Sequence, residues 1–119
     1  MRLRKITDIS LDEFLKNDDL KDIASFRLIK LLESSISICQ HLSAKILKKA
    51  PESYSNCFEM LSEANIINVD LSEKLQQMAR FRNMLIHVYW NIDYRQVYEI
   101  IKNDLGDIEL FVKSLDKFI

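Results

Sequence analysis

The chain has 119 residues, 48% of them hydrophobic, and a formal net charge of −1 at pH 7. A chain so close to neutral does not coat nucleic acid through bulk positive charge, so any RNA binding must be local. With one glycine and one proline, it lacks the turn residues that a sandwich or barrel of short strands requires. We therefore predict an all-α fold in one domain, residues 1–119, that buries an ordinary core.

The two cysteines, Cys39 and Cys57, form no Cys-x-x-Cys pattern and have no His/Cys set near them in the sequence. We expect both to be reduced residues in or near the core, and the protein to be cytoplasmic. The basic N-terminus is not followed by an apolar segment, and no apolar run of 18 residues occurs. Neither secretion nor membrane insertion is predicted, and no cofactor is expected.

The N-terminal half predicts two helices. The first covers roughly Thr7–Asn17, and Ser10 with Glu13 forms a capping box at its start. The second follows from apolar and small residues that recur at alternating steps of three and four. It should be about thirty residues long and end at Ala50, because Pro51 disfavours helical geometry in the residue before it.

The C-terminal half predicts three more helices, which gives an up-and-down bundle of about five. A short amphipathic helix covers Phe58–Ala64, and Asn65–Val69 links it to the next. Asp70 with Glu73 forms a second capping-box pattern, with Asp70 as the N-cap of that next helix.

The last helix is predicted to begin at Asp93, which with Gln96 forms a further capping-box pattern. Gly106 interrupts its apolar periodicity and costs up to about 1 kcal/mol relative to alanine. A kink or a close helix contact is therefore expected at Gly106.

The segment Met78–Trp90 carries the residues that are suited to chemistry. An imidazole exchanges a proton readily near neutral pH, which makes His87 a candidate general acid or base. The guanidinium of Arg82 can bind a phosphate in a fork and stabilise developing charge, and Asn83 can orient either group. No Asp or Glu lies between residues 80 and 91, so this segment offers no site for a divalent metal. These features point to metal-independent cleavage of RNA, whose 2′-hydroxyl serves as internal nucleophile.

Helix geometry separates the two principal candidates. In a regular helix, Arg82 and His87 are about 140° apart, whereas Asn83 and His87 share a face with Arg80. For Arg82 and His87 to act on one phosphate, either the helix loosens near His87 or the two residues converge across a dimer interface. On spacing alone, the preferred explanation of the pair is an interhelical hydrogen bond and a half-buried histidine.

The pattern Arg82-x4-His87-x-Tyr89 resembles the signature of the HEPN superfamily and, with its tyrosine, that of the HepT-like toxin branch. The similarity extends along most of the chain. The matching pieces are Pro51, Phe58 with Leu61, Ala64–Ile67, Met78–Tyr89, Ile92-Asp93 and Val97–Ile101. The resemblance implies a ribonuclease toxin whose site, Arg82 and His87 with Asn83 beside them, forms at a homodimer cleft.

Arg80 is a further candidate for RNA contact, and tRNA is a candidate substrate. Relatives often have an acidic residue about where this chain has Ser37, so that carboxylate is expected to be missing.

The resemblance also implies a partner. Toxins of this branch are paired with a small nucleotidyltransferase antitoxin that transfers AMP to the motif tyrosine, which is Tyr89 here. An adenylate ester adds bulk and negative charge and would repel RNA phosphates. Without the resemblance, Tyr89 and Trp90 are equally explained as aromatic anchors of the core or dimer seam.

Two other classes of protein fit the sequence. The chain would be a non-catalytic helical module if it binds a separate nucleotidyltransferase and leaves RNA intact. It would be a purely structural dimer if His87→Ala changes stability or dimerisation but no activity.

Overall fold

The computed structural model describes residues 3–87 and 89–116, and helices account for its regular structure over these ranges. The α-helices are α1 (Leu11–Lys16), α2 (Asp18–Leu42), α3 (Tyr54–Glu63), α4 (Val69–His87), α5 (Tyr94–Asn103) and α6 (Leu105–Asp116). The shorter turns are a 3₁₀ helix at Leu3–Asp8, a π-helical turn at Ser43–Leu47 and a 3₁₀ helix at Tyr89–Asn91. The predicted all-α bundle is confirmed.

The long second helix is confirmed with a modified end. It consists of the 25 residues of α2, continued by the five-residue π-helical turn. Lys48 then adopts a left-handed conformation with φ of 54°, and its N–H donates to the carbonyl of Ser43. This left-handed residue ends the helix two residues before the predicted end at Ala50, so Pro51 is not what stops it.

Side-chain oxygens accept from the first free N–H groups at the starts of several helices. Ser10 accepts from the Glu13 N–H at 3.2 Å, and Asp93 accepts from the Gln96 N–H at 3.2 Å, as predicted. Asn17 accepts from the Leu20 N–H at the start of α2, and Ser53 accepts from the Asn56 N–H at the start of α3.

The predicted N-cap of α4 is wrong. The helix begins at Val69, before Asp70, and the Oδ1 atom of Asn68 accepts from the Leu71 N–H at 2.7 Å. Asparagine caps a helix as well as aspartate does. Asn68 therefore caps α4 in place of Asp70.

Helices α2, α3 and α4 pack together around an apolar core. At the start of α4, the buried Ser72 hydroxyl donates to the Phe58 carbonyl of α3 at 2.8 Å. Cys57, next to Phe58, contacts Ser43 beyond the end of α2 at 3.4 Å. Toward the end of α4, Arg82 contacts Glu33, ten residues before Ser43. Helix α4 therefore runs antiparallel to α2.

Helices α5 and α6 close the other side of the core. The phenol of Tyr98 donates to the Ile9 carbonyl at 2.6 Å and so ties α5 to the N-terminal segment. Phe111 of α6 packs edge-on against Phe58, with ring centroids 5.7 Å apart. In the described ranges, no helix is long and apolar enough to span a membrane.

Cys39 and Cys57 are paired as a disulfide between α2 and α3, with Cα atoms 6.1 Å apart. The expectation of two reduced cysteines is therefore wrong for this structure. The pairing follows from how α2 packs on α3. No local pattern between residues 18 positions apart signals it.

The expected single last helix is two helices, α5 and α6, separated at Asp104. The predicted close helix contact at Gly106 is wrong, because a Cβ built there would meet nothing within 4 Å. The interruption lies two residues earlier, and it accounts for six described α-helices where about five were predicted.

Asp104 carries a perturbed carboxyl group at this junction. Partial burial raises the pKa of Asp104, against the attraction of the Lys74 ammonium 4.0 Å away. Lys74 pairs more closely with Asp107, at 2.8 Å, and this hydrogen bond raises the pKa of Lys74. Asp107 is therefore the close ion-pair partner of Lys74, whereas Asp104 is the carboxylate whose pKa is raised by desolvation.

We expect Asn68→Ala to lower the free energy of unfolding by about 1 kcal/mol, because the first turn of α4 loses its acceptor. Asp70→Ala is the matched control and should change the free energy of unfolding by less. Urea denaturation of both variants measures the difference. Equal losses would contradict the assignment of Asn68 as the cap.

We expect Asp104→Asn to raise the melting temperature at pH 7. A carboxyl whose folded pKa is raised favours folding below its unfolded pKa, and this contribution is lost as pH rises through the folded pKa. The advantage of the amide should therefore shrink as the pH is lowered toward about 4. Asp107→Asn, which removes the close partner of Lys74, should give no such gain. A melting temperature unchanged at pH 7 would contradict the desolvation of Asp104.

Candidate functional site

Arg82 lies near the end of α4, with a side chain that is only 17% exposed. One terminal nitrogen, Nη2, donates to Oε1 of Glu33 on α2 at 3.1 Å. The other, Nη1, donates to Oδ1 of Asn83 at 3.1 Å. The guanidinium carbon lies 5.3 Å from the ring centroid of Tyr54, the first residue of α3. Three helices therefore hold this one cation.

The guanidinium of Arg82 retains donors for a ligand. It has five N–H groups, of which two make the bonds to Glu33 and Asn83. The Nε atom is buried without a hydrogen-bond partner among the described residues. Each terminal nitrogen has a second N–H, so a phosphate can bind there without displacing either partner.

His87 is the last residue of α4, and its side chain is exposed. The helix is regular up to this residue, so the angle of about 140° between Arg82 and His87 is preserved. No hydrogen bond joins the two side chains among the described contacts. The expected loosening of the helix between Arg82 and His87 is therefore not seen; α4 ends at His87, and a 3₁₀ turn begins at Tyr89.

Asn83 and Arg80 lie on the side of α4 that His87 shares. Asn83 is half-buried, and its oxygen faces Arg82, so its amide nitrogen is free of that bond. Arg80 is exposed, and its Nη1 donates to the Ser55 hydroxyl on α3 at 2.9 Å. Asn83 thus contacts Arg82 and lies on the same side of α4 as His87.

Tyr89 is described only in its backbone, which starts the 3₁₀ turn Tyr89–Asn91. Its side chain lies outside the described part of the structure, so its predicted role as AMP acceptor stays a prediction. The neighbouring Trp90 is 72% exposed. This aromatic residue is not the core anchor that was one alternative.

Glu33 and Tyr54 are the site residues that sequence reasoning missed. The acidic residue of relatives was expected to be missing here because Ser37 takes its place, but Glu33, one turn earlier on α2, brings a carboxylate to Arg82. Residues four apart share a helix face, so the position of Ser37 was the available signal. Nothing in the sequence pattern indicated the stacking of Tyr54. Among the described residues, no group of three or more His, Cys, Asp or Glu is arranged to hold a metal ion.

Residues 1–115 match the sequence model of the ribonuclease HepT-like family. The chain belongs to this family. The predicted resemblance is therefore confirmed. This HepT-like chain is 29% identical to a tRNA nuclease HepT of Aphanizomenon flos-aquae, over 98% of its own length and 80% of that protein. It is 27% identical to an mRNA nuclease HepT of Shewanella oneidensis, over 84% of its own length and 75% of that protein.

Solved structures confirm the HEPN-like fold of this HepT-like chain. The tri-AMPylated HEPN toxin of Shewanella oneidensis, in complex with an MNT antitoxin, superposes with a TM-score of 0.85 at 24% identity. The match covers 98% of this chain and 86% of that one. A toxin–antitoxin structure with AMP-PNP gives a TM-score of 0.80 at 24% identity, covering 95% and 88%.

Proposed function

We propose that this chain is the ribonuclease toxin of a toxin–antitoxin pair and that it cuts RNA without a metal ion. Its membership of the ribonuclease HepT-like family supports an RNA-cleaving activity. The observation that carries the proposal is the environment of Arg82. A cation held by Glu33, Asn83 and Tyr54, with donors left on both terminal nitrogens, is arranged to receive a phosphate.

The proposed roles follow from the chemistry of each side chain. Arg82 binds the scissile phosphate and stabilises the charge that develops at phosphorus. His87, exposed at the end of α4, exchanges a proton with the reacting oxygens. Asn83 accepts from the guanidinium and lies on the side of α4 that His87 shares. Arg80 adds a further cation along the same side of α4.

We propose that the complete site forms between two copies of the chain. Because α4 stays regular to His87, one copy presents Arg82 and His87 on different sides of the helix. A two-fold interface would bring Arg82 of one copy to His87 of the other. Exposed apolar side chains near this part of the fold support such an interface. They are Phe26 on α2, Met84 and Ile86 on α4, and Trp90 after it.

Phe26 is placed for that interface by the packing of α2 on α4. It lies seven residues before Glu33, two turns away on the same face of α2. Because α2 and α4 are antiparallel, Phe26 is level with the end of α4, where His87 is found. Its side chain is 62% exposed. An apolar residue at the rim of the cleft is suited to contact a second copy.

The substrate class is RNA, and tRNA is the first substrate to test. One relative is named a tRNA nuclease and another an mRNA nuclease, so the target is chosen by features outside the shared site. A cytoplasmic location is part of this proposal, because the RNA and the nucleotide donor of the partner are found there.

The proposed partner is a nucleotidyltransferase antitoxin that transfers AMP to Tyr89. Tyr89 begins the turn directly after α4, two residues beyond His87. An adenylyl group attached there would add negative charge beside the phosphate-binding cation and so block RNA. Structures of similar toxins were determined with MNT-type antitoxins, one of them with the toxin tri-AMPylated, which supports this assignment.

We expect the purified wild-type protein to cleave a total tRNA pool in excess EDTA. Arg82→Ala and His87→Ala should each reduce the rate at least about 100-fold, because each removes a group that acts on the phosphate. Labelled tRNA resolved on denaturing gels measures the rates. The control is Arg95→Ala, a substitution at an exposed cation on α5, which should cleave at the wild-type rate.

The variants must be folded and as oligomeric as the wild type, and the mass of the wild-type protein must show no adduct. No cleavage by such a protein would contradict the ribonuclease proposal and favour the non-catalytic binding module. Cleavage that survives both alanine substitutions would contradict the site.

We expect Tyr89→Phe to cleave RNA at about the wild-type rate and to resist its antitoxin. Incubation with the antitoxin and ATP should add adenylyl mass to the wild type but not to the variant, because the phenol oxygen is missing. Intact-protein mass spectrometry and the cleavage assay measure both effects. Tyr94→Phe, on α5, is the matched control and should be modified normally. Adenylyl mass on Tyr89→Phe would place the acceptor elsewhere.

A further inference from the structure

We propose that Glu33 is the general base that removes the proton from the attacking 2′-hydroxyl, and that His87 is the general acid. This inference rests on the proposed function and adds a catalytic residue to it. Sequence reasoning provided one imidazole for a reaction that moves two protons. The structure adds a carboxylate beside the phosphate-binding cation.

Glu33 lies on an exposed row of α2, and its side chain is 48% exposed. Oε1 accepts from Nη2 of Arg82 at 3.1 Å. Among the described residues, the carboxylate accepts this one hydrogen bond. Its other oxygen, Oε2, accepts none from them. The carboxylate is therefore fixed at one oxygen and accessible at the other. Such a group can accept a proton from a ligand.

The shared guanidinium sets the distance between base and substrate. Arg82 holds Glu33 through one N–H of Nη2 and has further N–H groups for a phosphate. A phosphate bound there lies within one guanidinium width of the Glu33 carboxylate. The 2′-hydroxyl that attacks belongs to the nucleotide on the 3′-oxygen of that same phosphate. The carboxylate therefore lies within the span of one nucleotide from the group that it must deprotonate.

A purely structural role explains Glu33 less well. On the Glu33 side the ion pair is 48% exposed, and solvent weakens the contribution of an exposed carboxylate to stability. The guanidinium is also held without it, by Asn83 at 3.1 Å and by the Tyr54 ring. The remaining histidine of the chain, His41, lies eight residues further along α2, about 12 Å away at 1.5 Å per residue. His41 therefore does not replace Glu33 as a second proton carrier.

The reaction balances with these two groups. The 2′-oxygen attacks phosphorus while its proton passes to the Glu33 carboxylate. The bond between phosphorus and the 5′-oxygen breaks, and that oxygen receives a proton from the His87 imidazolium. The products are a 2′,3′-cyclic phosphate and a free 5′-hydroxyl. Proton transfer from the protonated carboxyl to solvent, and from solvent to the imidazole, restores the enzyme.

The two-copy arrangement places these groups where the reaction needs them. In an in-line displacement, the attacking and leaving oxygens are on opposite sides of phosphorus. Glu33 and Arg82 are joined within one copy, whereas His87 faces away from Arg82 on the same helix. Base and phosphate binder from one copy, and acid from the other, would therefore approach the phosphate from opposite sides.

The test compares an ordinary RNA dinucleotide with uridine 3′-(4-nitrophenyl phosphate), whose leaving group departs without a proton. We expect Glu33→Gln to lose at least about 100-fold in rate on both substrates. His87→Ala should lose as much on the dinucleotide but fall less than about tenfold on the activated ester. Glutamine keeps an acceptor for Arg82, so a positioning role alone would leave Glu33→Gln close to the wild type.

Two further variants complete the experiment. Glu33→Asp keeps a carboxylate and should recover part of the loss on the activated ester. Glu63→Gln, at the exposed end of α3, is the matched control and should react as the wild type does. Circular dichroism and sedimentation must show Glu33→Gln folded and of wild-type oligomeric state.

The outcomes separate this inference from the proposed function. If the wild type cleaves both substrates and Glu33→Gln stays within about threefold of it, the inference is overturned and the ribonuclease proposal stands. The same holds if Glu33→Gln recovers on the activated ester as His87→Ala does, because Glu33 would then act on the leaving group. A wild type that cleaves neither substrate overturns both proposals.

Discussion

The guanidinium of Arg82, at the seam of three helices, is the constraint on which the arrangement of the site depends. A cation that is 17% exposed must keep hydrogen-bond partners, because water reaches little of it. Those partners are Glu33 from α2 and Asn83 from α4, with the Tyr54 ring of α3 beside them. The same packing that buries the apolar faces of these helices therefore also positions the group that would bind phosphate.

The sequence predicted the features that depend on neighbouring residues. Apolar periodicity predicted α2. The caps at Ser10 and Asp93 followed from side chains three residues before the N–H groups that donate to them. The cap of α4 was misjudged because Asp70 with Glu73 satisfies the capping-box pattern, whereas the chain starts the helix earlier, with Asn68 as its cap. The disulfide between α2 and α3 likewise depends on packing, which the local pattern does not encode.

The candidate site divides in the same way. Arg82, Asn83 and His87 belong to one helix, so a motif and helix geometry were enough to single them out. Glu33 is 49 residues from Arg82 along the chain, and the antiparallel packing of α2 on α4 brings the two together. A prediction from sequence would have needed the register of that packing. The carboxylate was looked for at Ser37, but the residue that contacts the guanidinium is Glu33, one helical turn earlier on α2.

The pairing of Arg82 with Glu33 limits how strongly one copy of this chain, whose net charge is −1, would attract RNA. Within one copy, the carboxylate offsets the charge of the guanidinium, so a single site attracts phosphate weakly at a distance. Two copies that face each other would add both Arg80 side chains and both His87 side chains to one cleft. Attraction for RNA would then arise with the assembled dimer, and an anionic adduct placed after α4 would oppose it at the same location. Dimer formation and charge at the cleft would therefore control the proposed activity together, while the bulk charge of the chain has little influence on it.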